Sequence, residues 1–315
     1  MSLIEQAAKR LEQLRQAGVE LPDEAPAGVP TTASTSAKPA HDPYATKIPQ
    51  PEPVAVAPKP VADDAPSASR NRVELNLEAI SASGLLVPTA TRTQLADEYR
   101  VIKRPLIANA TGKGGTALQN GNLIMITSAL PGEGKSFTAI NLAISIAMEL
   151  DNTVMLVDAD VSRPSVLNML GLPPAPGLLD VVMKNSVDIS EVLLRTNIEK
   201  LSILPSGTAH ARATELLASE AMIRLLDDMS GRYNDRIIIF DSPPLLLTTE
   251  ARALAAHMGQ IVIVVNAENT AQAAVKQAVA AIESCPVKMM VLNQARQSST
   301  DGYGYGYGYG YGHAN

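Results

Sequence analysis

Short apolar runs alternate with helix-forming stretches along residues 115–293. Six runs have the length and the Val, Ile and Leu content of buried strands: residues 122–127, 153–157, 201–204, 236–240, 260–265 and 287–292. The stretches between them predict helices near residues 135–150, 212–230, 249–257 and 270–284. Strands that alternate with helices form a mostly parallel sheet with helices on both faces. The pattern therefore predicts an α/β fold.

Residues 1–18 have a separate amphipathic pattern. Ile4, Leu11 and Leu14 recur at helical spacing, and Gly18 is a natural end for the helix. A helix of this length is marginal on its own in water. It is either a docking helix for a partner or a sister subunit, or a frayed terminus, and the residues favour neither interpretation.

The segment from residue 19 to residue 72 is rich in proline. It holds 11 of the 22 prolines, all between Pro22 and Pro66, and few large apolar residues. Such a composition cannot bury enough apolar surface to offset the entropy of ordering. We therefore expect a disordered tether at residues 19–72, a globular domain at residues 73–296 and a flexible tail at residues 297–315.

An entry helix is predicted at about residues 92–104 of the globular domain. Thr91 and Gln94 have the spacing of a capping box, in which each side chain satisfies a free backbone N–H group. Pro105 disfavours helical backbone in the residue before it. The helix is therefore expected to end before this proline.

Aromatic residues are scarce and unevenly placed. The chain has 8 Tyr, 2 Phe and no Trp, and five of the tyrosines lie in the last thirteen residues. The core must therefore be built from Ala, Val, Ile, Leu and Met, which suits parallel strands covered by helices better than an aromatic-rich sandwich. The composition strengthens the prediction of an α/β fold.

Charge, run length and cysteine content exclude several classes of protein. A net charge of -6 argues against a nucleic-acid groove, which needs a surplus of Lys and Arg. The longest apolar runs are far shorter than the roughly 20 residues of a membrane-spanning helix. Cys285 is the single cysteine, so no internal disulfide is possible, and a small buried hydrophobe is the expected role. With no recognisable secretory signal, we expect a cytoplasmic protein.

A phosphate-binding loop follows the first predicted strand. In the segment ITSALPGEGKSFTAINLAISIA, four residues separate Ala129 from Gly134, and the loop leads from a strand into a helix, as in a P-loop. Glycines allow successive N–H groups to face the phosphates, and the helix directs its N-terminal dipole at them. The candidate nucleotide-binding residues of the loop are Pro131, Gly132, Glu133, Gly134, Lys135, Ser136 and Phe137.

Three carboxylates follow neighbouring strands at the same edge of the predicted sheet. Asp158 and Asp160 end the segment VMLVDAD, and Asp241 follows the strand IIIF. Oxygen ligands suit magnesium, so Ser136, Asp158 and Asp241 are candidate metal ligands beside the phosphates. A lone aspartate at a strand end is more often a helix cap. Three of them around one P-loop favour a nucleotide and magnesium site.

The P-loop does not by itself name the reaction, since ATPases and kinases share it. ATPases of the ParA and MinD type, which position chromosomes and division sites, carry an additional lysine early in the loop. Leu130 stands at that position in this chain. The lysine signature of these ATPases is therefore absent.

The motifs resemble those of the bacterial tyrosine kinases, P-loop kinases that accompany polysaccharide synthesis and export. SALPGEGKS resembles the family's Walker A motif, VMLVDAD its second acidic motif and IIIFDSPP its Walker B motif. The family's second acidic motif usually has Arg two residues after its second Asp, whereas here Ser162 stands there and Arg163 follows. The N-terminal helix followed by a proline-rich tether, and the phrase EYRVIKRPL, look most like the exosortase-associated tyrosine autokinases.

A fourth similarity lies in the entry helix, in LADEYRVIKRP. Its acidic and basic pattern resembles the one through which family members contact a neighbouring subunit, and the residues concerned are Asp97, Glu98, Arg100 and Lys103. The resemblance extends weakly to Asn293. It implies that Arg163 and Asn293 contact the nucleotide, and that the subunits form a ring-like homo-oligomer.

The resemblance implies an ATP-dependent protein tyrosine autokinase with Mg²⁺ as cofactor. Lys135 would hold the phosphates, and Asp158 or Asp160 would orient or deprotonate the acceptor hydroxyl. Family members of this type work with a membrane-embedded polysaccharide co-polymerase or adaptor, whose cytoplasmic segment activates them, and with a tyrosine phosphatase. We therefore expect recruitment to the inner face of the membrane through a partner.

The tail DGYGYGYGYGYGHAN supplies a candidate substrate. Its tyrosines alternate with glycine and present five hydroxyls on a flexible chain, at Tyr303, Tyr305, Tyr307, Tyr309 and Tyr311. The resemblance implies phosphorylation of these tyrosines by a neighbouring subunit. The alternative is a low-complexity, sticky or β-prone tail. If labelling persisted without the tail, Tyr44, Tyr99 and Tyr233 would be the remaining candidate acceptors.

Two other functions stay open on the residues alone. A ParA- or MinD-like ATPase would hydrolyse ATP without labelling tyrosine, and a non-catalytic adaptor would use ATP only to control assembly. Only a kinase makes phosphotyrosine, so that product separates it from both.

Overall fold

A computed structural model describes residues 71–90, 92–113, 118–183, 187–233 and 235–295. The predicted N-terminal helix, almost all of the predicted tether and the Gly-Tyr tail lie outside these residues. Asn71 and Arg72, placed in the tether by composition, are described. The main-chain N–H of Arg195 donates to the carbonyl oxygen of Asn71 at 2.9 Å, so this end of the predicted tether contacts the globular domain.

The described residues form one seven-stranded sheet with helices around it. The strands are β1 (Leu123–Ser128), β2 (Thr153–Asp158), β3 (Leu194–Arg195), β4 (Leu201–Leu204), β5 (Arg236–Asp241), β6 (Gln260–Asn266) and β7 (Val287–Asn293). The helices are α1 (Leu77–Ala82), α2 (Gln94–Ala110), α3 (Lys135–Ala147), α4 (Val166–Met169), α5 (Leu178–Met183), α6 (Ile189–Val192), α7 (Ala213–Leu217), α8 (Glu220–Arg232), α9 (Thr249–Ala255) and α10 (Gln272–Ala280).

The strand order is β3-β4-β2-β5-β1-β6-β7. Every pairing is parallel except that between β3 and β4. All residues of β1 and β6 are buried, because helices cover both faces of the central sheet. The predicted α/β fold with a mostly parallel sheet is confirmed.

All six predicted strands are present, with ends within one residue of the prediction. The sequence prediction missed β3, which has two residues and is too short to show a period. The predicted helix at 212–230 is instead α7 and α8. Ser219 separates them, because its side chain accepts from the N–H of Met222 at 3.3 Å and caps the start of α8.

The entry helix departs from its prediction at both ends. Its N-cap is Thr93, whose hydroxyl accepts from the N–H of Ala96 at 3.2 Å, while Thr91 lies outside the described residues. The helix also continues through Pro105 to Ala110. Proline removes one hydrogen bond from the helix. Burial of Leu106, which has no exposed surface, stabilises this turn by about 1.5–3 kcal/mol and offsets the loss.

The core lies in two layers, one on each face of the sheet. Leu123 and Met125 of β1 point into one layer, and Ile124 and Ile126 point into the other. Aliphatic residues and methionine dominate both layers, and Phe240 is the one aromatic among the largest fully buried side chains of the described residues. The expected aliphatic core is therefore present, and it holds the loops at the carboxyl ends of the strands.

Candidate nucleotide and phosphotransfer site

The P-loop connects β1 to α3, and its shape depends on two glycines. Gly132 has φ 82° and Gly134 has φ 93°, both in the left-handed region that favours glycine. A Cβ atom at Gly134 would lie 2.1 Å from Asn293 Nδ2, whereas one at Gly132 would meet nothing within 4 Å. Gly134 is therefore favoured by its backbone conformation, and a side chain there would also have to displace the Asn293 amide.

Glu133 turns its side chain into the protein instead of toward a nucleotide. Its carboxylate accepts from the N–H of Leu130 at 2.6 Å and from the hydroxyl of Thr270, and the residue is 3% exposed. Asn293 Nδ2 donates to the Glu133 carbonyl oxygen at 2.9 Å. Glu133 and Asn293 thus stabilise the loop on the side that faces the protein interior. The sequence did not predict this role, because the motif indicates only which residues face the phosphates.

The start of α3 places two polar side chains beside the strand ends. Lys135 Nζ lies 2.7 Å from Asp160 Oδ2, and Ser136 Oγ lies within hydrogen-bond distance, 2.8 Å, of Ser165 Oγ. The other oxygen of Asp160 accepts from the N–H of Arg163 at 3.2 Å. The Arg163 side chain is exposed at this edge. In this arrangement the Asp160 carboxylate is paired with the Lys135 ammonium.

Asp158 and Asp241 are direct neighbours, because β2 and β5 pair in that register. Asp158 Oδ2 accepts from the N–H groups of Ser165 and Val166, both at 3.1 Å. Burial and the charge of Asp241 raise the pKa of Asp158 to about 7. Burial also raises the pKa of Asp241 to about 6, although Lys135 and Ser136 lower it in part.

Buried oxygens at this edge lack partners. Neither carboxylate oxygen of Asp241, nor Asp158 Oδ1, has a hydrogen-bond partner of normal geometry within the described residues. Buried carboxylates without partners are costly unless a cation or proton compensates them. The described residues contain no group of three or more His, Cys, Asp or Glu that could enclose a metal. Magnesium usually takes few protein ligands together with waters and phosphates, so these oxygens and Ser136 fit it.

A cavity of about 560 Å³ opens beside Asp158. Its other walls come from the proline-rich segment after α4, including Leu172, Pro174 and Pro176, and from the Gly207 loop after β4. Its lining is therefore largely apolar, with a carboxylate at one end. Sequence reasoning did not identify this cavity, although the run LPPAPG was a signal of a stiff surface loop.

Residues 121–294 match a family model described as an AAA domain. Tyrosine-protein kinase YwqD of Bacillus subtilis (strain 168) is 34% identical over 182 residues, which cover 57% of this chain and 75% of YwqD. The chain belongs to the bacterial tyrosine kinase family. Tyrosine-protein kinase ptk of Acinetobacter johnsonii is 32% identical over 184 residues, 58% of this chain but 24% of ptk.

Solved structures of bacterial tyrosine kinases share the fold. The chimerical protein CapA2B2 superposes with a TM-score of 0.56 and 29% identity, over 70% of this chain and 98% of that one. The kinase domain of the Escherichia coli tyrosine kinase ETK gives a TM-score of 0.53 and 26% identity, over 63% and 76% of the two chains. These neighbours have the P-loop fold that the sequence predicted.

The remaining loop residues of this bacterial tyrosine kinase differ in position. Pro131 is exposed, whereas Phe137 is half-buried and packs against the core layer under α2. Leu130, at the position of the additional lysine in ParA-type ATPases, packs against the opposite layer. The Phe137 ring therefore packs under the loop. The contact with nucleotide predicted for Phe137 would have to be made by its main chain.

The predicted subunit-contact residues on α2 divide into two groups. Asp97 and Arg100 form an ion pair on the surface, and Glu98 accepts from Gln94 Nε2 at 2.8 Å. Lys103 is buried instead: its ammonium donates to the Ser145 carbonyl oxygen at 2.6 Å and pairs with Glu149 at 2.8 Å. This internal contact argues against the expected role of Lys103 in binding a neighbouring subunit.

The five tail tyrosines and Tyr44 lie outside the described residues, but the other two candidate acceptors do not. Tyr99 is 4% exposed, and burial raises the pKa of its hydroxyl to about 12. Tyr233 is partly exposed and lies under Arg236, with 4.5 Å between the guanidinium carbon and the ring centre. Burial thus disfavours Tyr99 as an acceptor.

Within the described residues, no helix has the length and apolar character needed to cross a bilayer.

Proposed function

We propose that this chain is an ATP-dependent protein-tyrosine kinase that phosphorylates the Gly-Tyr tail of a neighbouring subunit. The observation that carries the proposal is the position of Asp158. Its carboxylate lies at the phosphate edge beside Asp241, and it also lines the cavity of about 560 Å³. One end of that cavity therefore adjoins the phosphate site, as an acceptor hydroxyl requires.

The P-loop would hold the triphosphate. The loop amides, the α3 dipole and Lys135 would bind the outer phosphates. Lys135 is paired with Asp160 at 2.7 Å, so nucleotide binding would exchange or share this carboxylate partner with a phosphate. Magnesium, held by Ser136 and Asp241 with Asp158 nearby, supplies charge neutralisation for the phosphates when it is bound.

Asp158 is the better candidate to accept the tyrosine proton. Asp160 is occupied by Lys135, whereas Asp158 keeps one oxygen, Oδ1, without a partner among the described residues. A raised pKa matches a group that must take up a proton near neutral pH. The two N–H donors from Ser165 and Val166 fix the other oxygen and so orient the carboxylate. Catalysis would consist mainly of positioning and charge stabilisation.

Family membership supports the wider proposal. We infer that the kinase acts in a ring-like homo-oligomer in the cytoplasm and is recruited to the membrane by a polysaccharide co-polymerase or adaptor with an activating cytoplasmic segment. A tyrosine phosphatase would reverse the modification. Each phosphate adds about -1.5 to -2 charges, so a fully modified tail gains on the order of -8 to -10. That charge, crowded into one ring, would favour dissociation and so regulate exopolysaccharide polymerisation and export.

Incubation of the purified chain with ATP and Mg²⁺, followed by a phosphotyrosine blot, tests the proposal. We expect a label that is lost in Lys135→Met, because that substitution removes the cation from the phosphates. Deletion of residues 303–312 should remove most of the label and leave nucleotide binding intact. An unlabelled chain that binds and hydrolyses ATP would instead be an ATPase of the ParA and MinD type, and one that only assembles with ATP would be an adaptor.

A further inference from the structure

A basic cavity lies at the opposite edge of the sheet from the P-loop. It is about 560 Å³ and is formed where β2, β4 and β5 begin. Four cationic side chains line it, Arg72, Arg195, Lys200 and Arg236, against one acid, Glu199. The whole chain has a net charge of -6, so this cavity, which we call the Arg72–Arg195 pocket, is a local reversal of charge.

The backbone places two of these arginines side by side. Arg72 and Arg195 are partners in a parallel β-bridge, so their side chains leave the backbone on the same face. The bridge is held by the hydrogen bond from Val73 N–H to the Arg195 carbonyl oxygen at 2.9 Å, together with the bond from Arg195 N–H to Asn71. Asn197 adds two further bonds to the backbone of Leu75, at 2.9 and 3.1 Å.

Neither of these arginines has an acidic partner within the described residues, and both are exposed. Like charges directly opposite each other on a ladder destabilise the pairing. Two backbone hydrogen bonds and the two bonds between Asn197 and Leu75 thus hold these like-charged residues side by side. An anion between the two guanidinium groups would remove the repulsion.

The other two cations complete a one-sided surface. Lys200 lines the cavity, and its ammonium donates to the carbonyl oxygens of Glu149 and Leu150 at 3.0 and 2.8 Å. Arg236 lies over the Tyr233 ring, and its Nε is buried without a hydrogen-bond acceptor in the described part of the chain. The nearest carboxylate oxygen, on Asp235, is 3.6 Å away. Even with Glu199 and Asp235 counted, cations exceed acids in the pocket.

We propose that the Arg72–Arg195 pocket binds phosphotyrosine of the phosphorylated Gly-Tyr tail. Arginine forks bind phosphate oxygens in pairs, and apolar wall residues such as Leu193 and Ile198 suit the tyrosine ring. The tail offers up to five such groups, separated by single glycines. This inference rests on the proposed function, because the kinase reaction makes the phosphotyrosines.

Either the same chain or a neighbour can supply the tail. The described chain ends at Ala295, beside the P-loop, and Tyr311 lies sixteen residues further along the sequence. Sixteen extended residues span roughly 50 Å. The path from the end of β7 to the pocket crosses four to five strand spacings, about 19–24 Å, and one strand length, about 20 Å, so the tail is long enough. Binding in the pocket would hold a modified tail at the edge of the sheet opposite the phosphate site, so that an unmodified tail could enter the site.

A titration with synthetic peptide tests the inference without any kinase activity. The protein is the full chain carrying Lys135→Met, and the probe is a labelled peptide of residues 300–313 with phosphate on all five tyrosines, read by fluorescence anisotropy at physiological salt. The unphosphorylated peptide is the matched probe. Saturating ADP and Mg²⁺ are present, so that the phosphate site is occupied and cannot bind the peptide.

We expect the phosphopeptide to bind and the unphosphorylated peptide not to bind. Arg72→Ala together with Arg195→Ala should weaken binding by about tenfold or more, because two charged hydrogen-bonding groups are lost. Arg92→Ala with Arg212→Ala, two exposed arginines elsewhere, is the control and should change affinity by less than about twofold. Arg72→Lys with Arg195→Lys should fall between, since charge remains but paired bonding is lost.

Three results would overturn the inference: no binding of the phosphopeptide, equal binding to wild type and the double alanine variant, or equal binding of the two peptides. Anionic lipid vesicles that bind in an arginine-dependent way while the phosphopeptide does not would make the pocket a membrane site and also overturn it. Mixing a chain that lacks residues 303–312 with a phosphorylated full chain then separates binding between chains from binding within one. A negative phosphotyrosine blot would refute the kinase and leave the titration unaffected.

Discussion

Alanine at Gly134 should damage the P-loop more than alanine at Gly132, although both glycines have left-handed backbone. At Gly132 the added Cβ meets nothing within 4 Å, so the cost is the backbone strain alone, about 1–2 kcal/mol. At Gly134 the same strain applies, and the Cβ would lie 2.1 Å from Asn293 Nδ2. Asn293 must then move and lose its 2.9 Å hydrogen bond to Glu133, about 1 kcal/mol more.

Thermal or urea unfolding of the two variants measures this difference, and a fluorescent ATP analogue measures its effect on nucleotide binding. We expect Gly134→Ala to lower the free energy of unfolding by roughly 2–3 kcal/mol and Gly132→Ala by roughly 1–2 kcal/mol. Nucleotide affinity should fall in both variants, and more in Gly134→Ala.

The Asn293→Ala background isolates the contact. In that background Gly134→Ala should cost only the backbone strain, so the double-mutant cycle should show a coupling of about 1 kcal/mol. Gly132→Ala should cost the same in both backgrounds. A coupling of zero between residues 134 and 293 would refute the claim that β7 limits the shape of the loop.

Three further predictions concern buried polar groups. Glu133→Ala should weaken ATP binding about tenfold, because the Leu130 N–H loses its acceptor. Glu133→Gln can still accept that bond and removes a buried negative charge near the phosphates, so it should bind ATP at least as well as wild type. Equal losses of affinity for the two variants in a nucleotide titration would contradict this. Lys103→Met should lower the free energy of unfolding, measured in urea, by about 1–3 kcal/mol, because the Ser145 carbonyl oxygen loses its donor. The control is Arg104→Met at an exposed neighbouring position, which should change the free energy of unfolding by less than about 0.5 kcal/mol. Burial raises the pKa of the Tyr99 hydroxyl to about 12 in the fold, against about 10 in the unfolded chain. The neutral hydroxyl therefore contributes to the free energy of unfolding below pH 10, and this contribution, at most roughly 2–3 kcal/mol, is lost as pH rises toward 12. Tyr99→Phe should make the unfolding midpoint less dependent on pH over that range, and an unchanged slope would argue against a buried hydroxyl.

The sequence predicted the sheet well because buried parallel strands carry an unbroken apolar signal. Runs such as IIIF before Asp241 are typical of parallel strands that helices cover on both faces of the sheet. The two-residue β3 could not be found, since pairing with β4 and not its own composition makes it a strand. Pro105 misled the prediction of the entry helix, because local propensity ignores the packing of Leu106.

The site was predictable as far as its motif residues. Lys135, Asp158, Asp160 and Asp241 are brought together because parallel strands end at the same edge of the sheet. The roles of Glu133 and Lys103 could not be read from sequence. A carboxylate in a loop and a lysine on an amphipathic helix are both expected to be solvated. Only the structure shows that Glu133 contacts Thr270 and that Lys103 packs against α3.

A mixed-chain phosphorylation assay shows whether one subunit phosphorylates the tail of another. One chain carries Lys135→Met and an intact tail; the other is active but has all five tail tyrosines replaced by Phe and a tag that changes its size. With ATP and Mg²⁺, we expect phosphotyrosine on the Lys135→Met chain only when the active chain is present. Nucleotide binding by the active chain with no phosphotyrosine on the Lys135→Met chain would contradict phosphorylation between subunits.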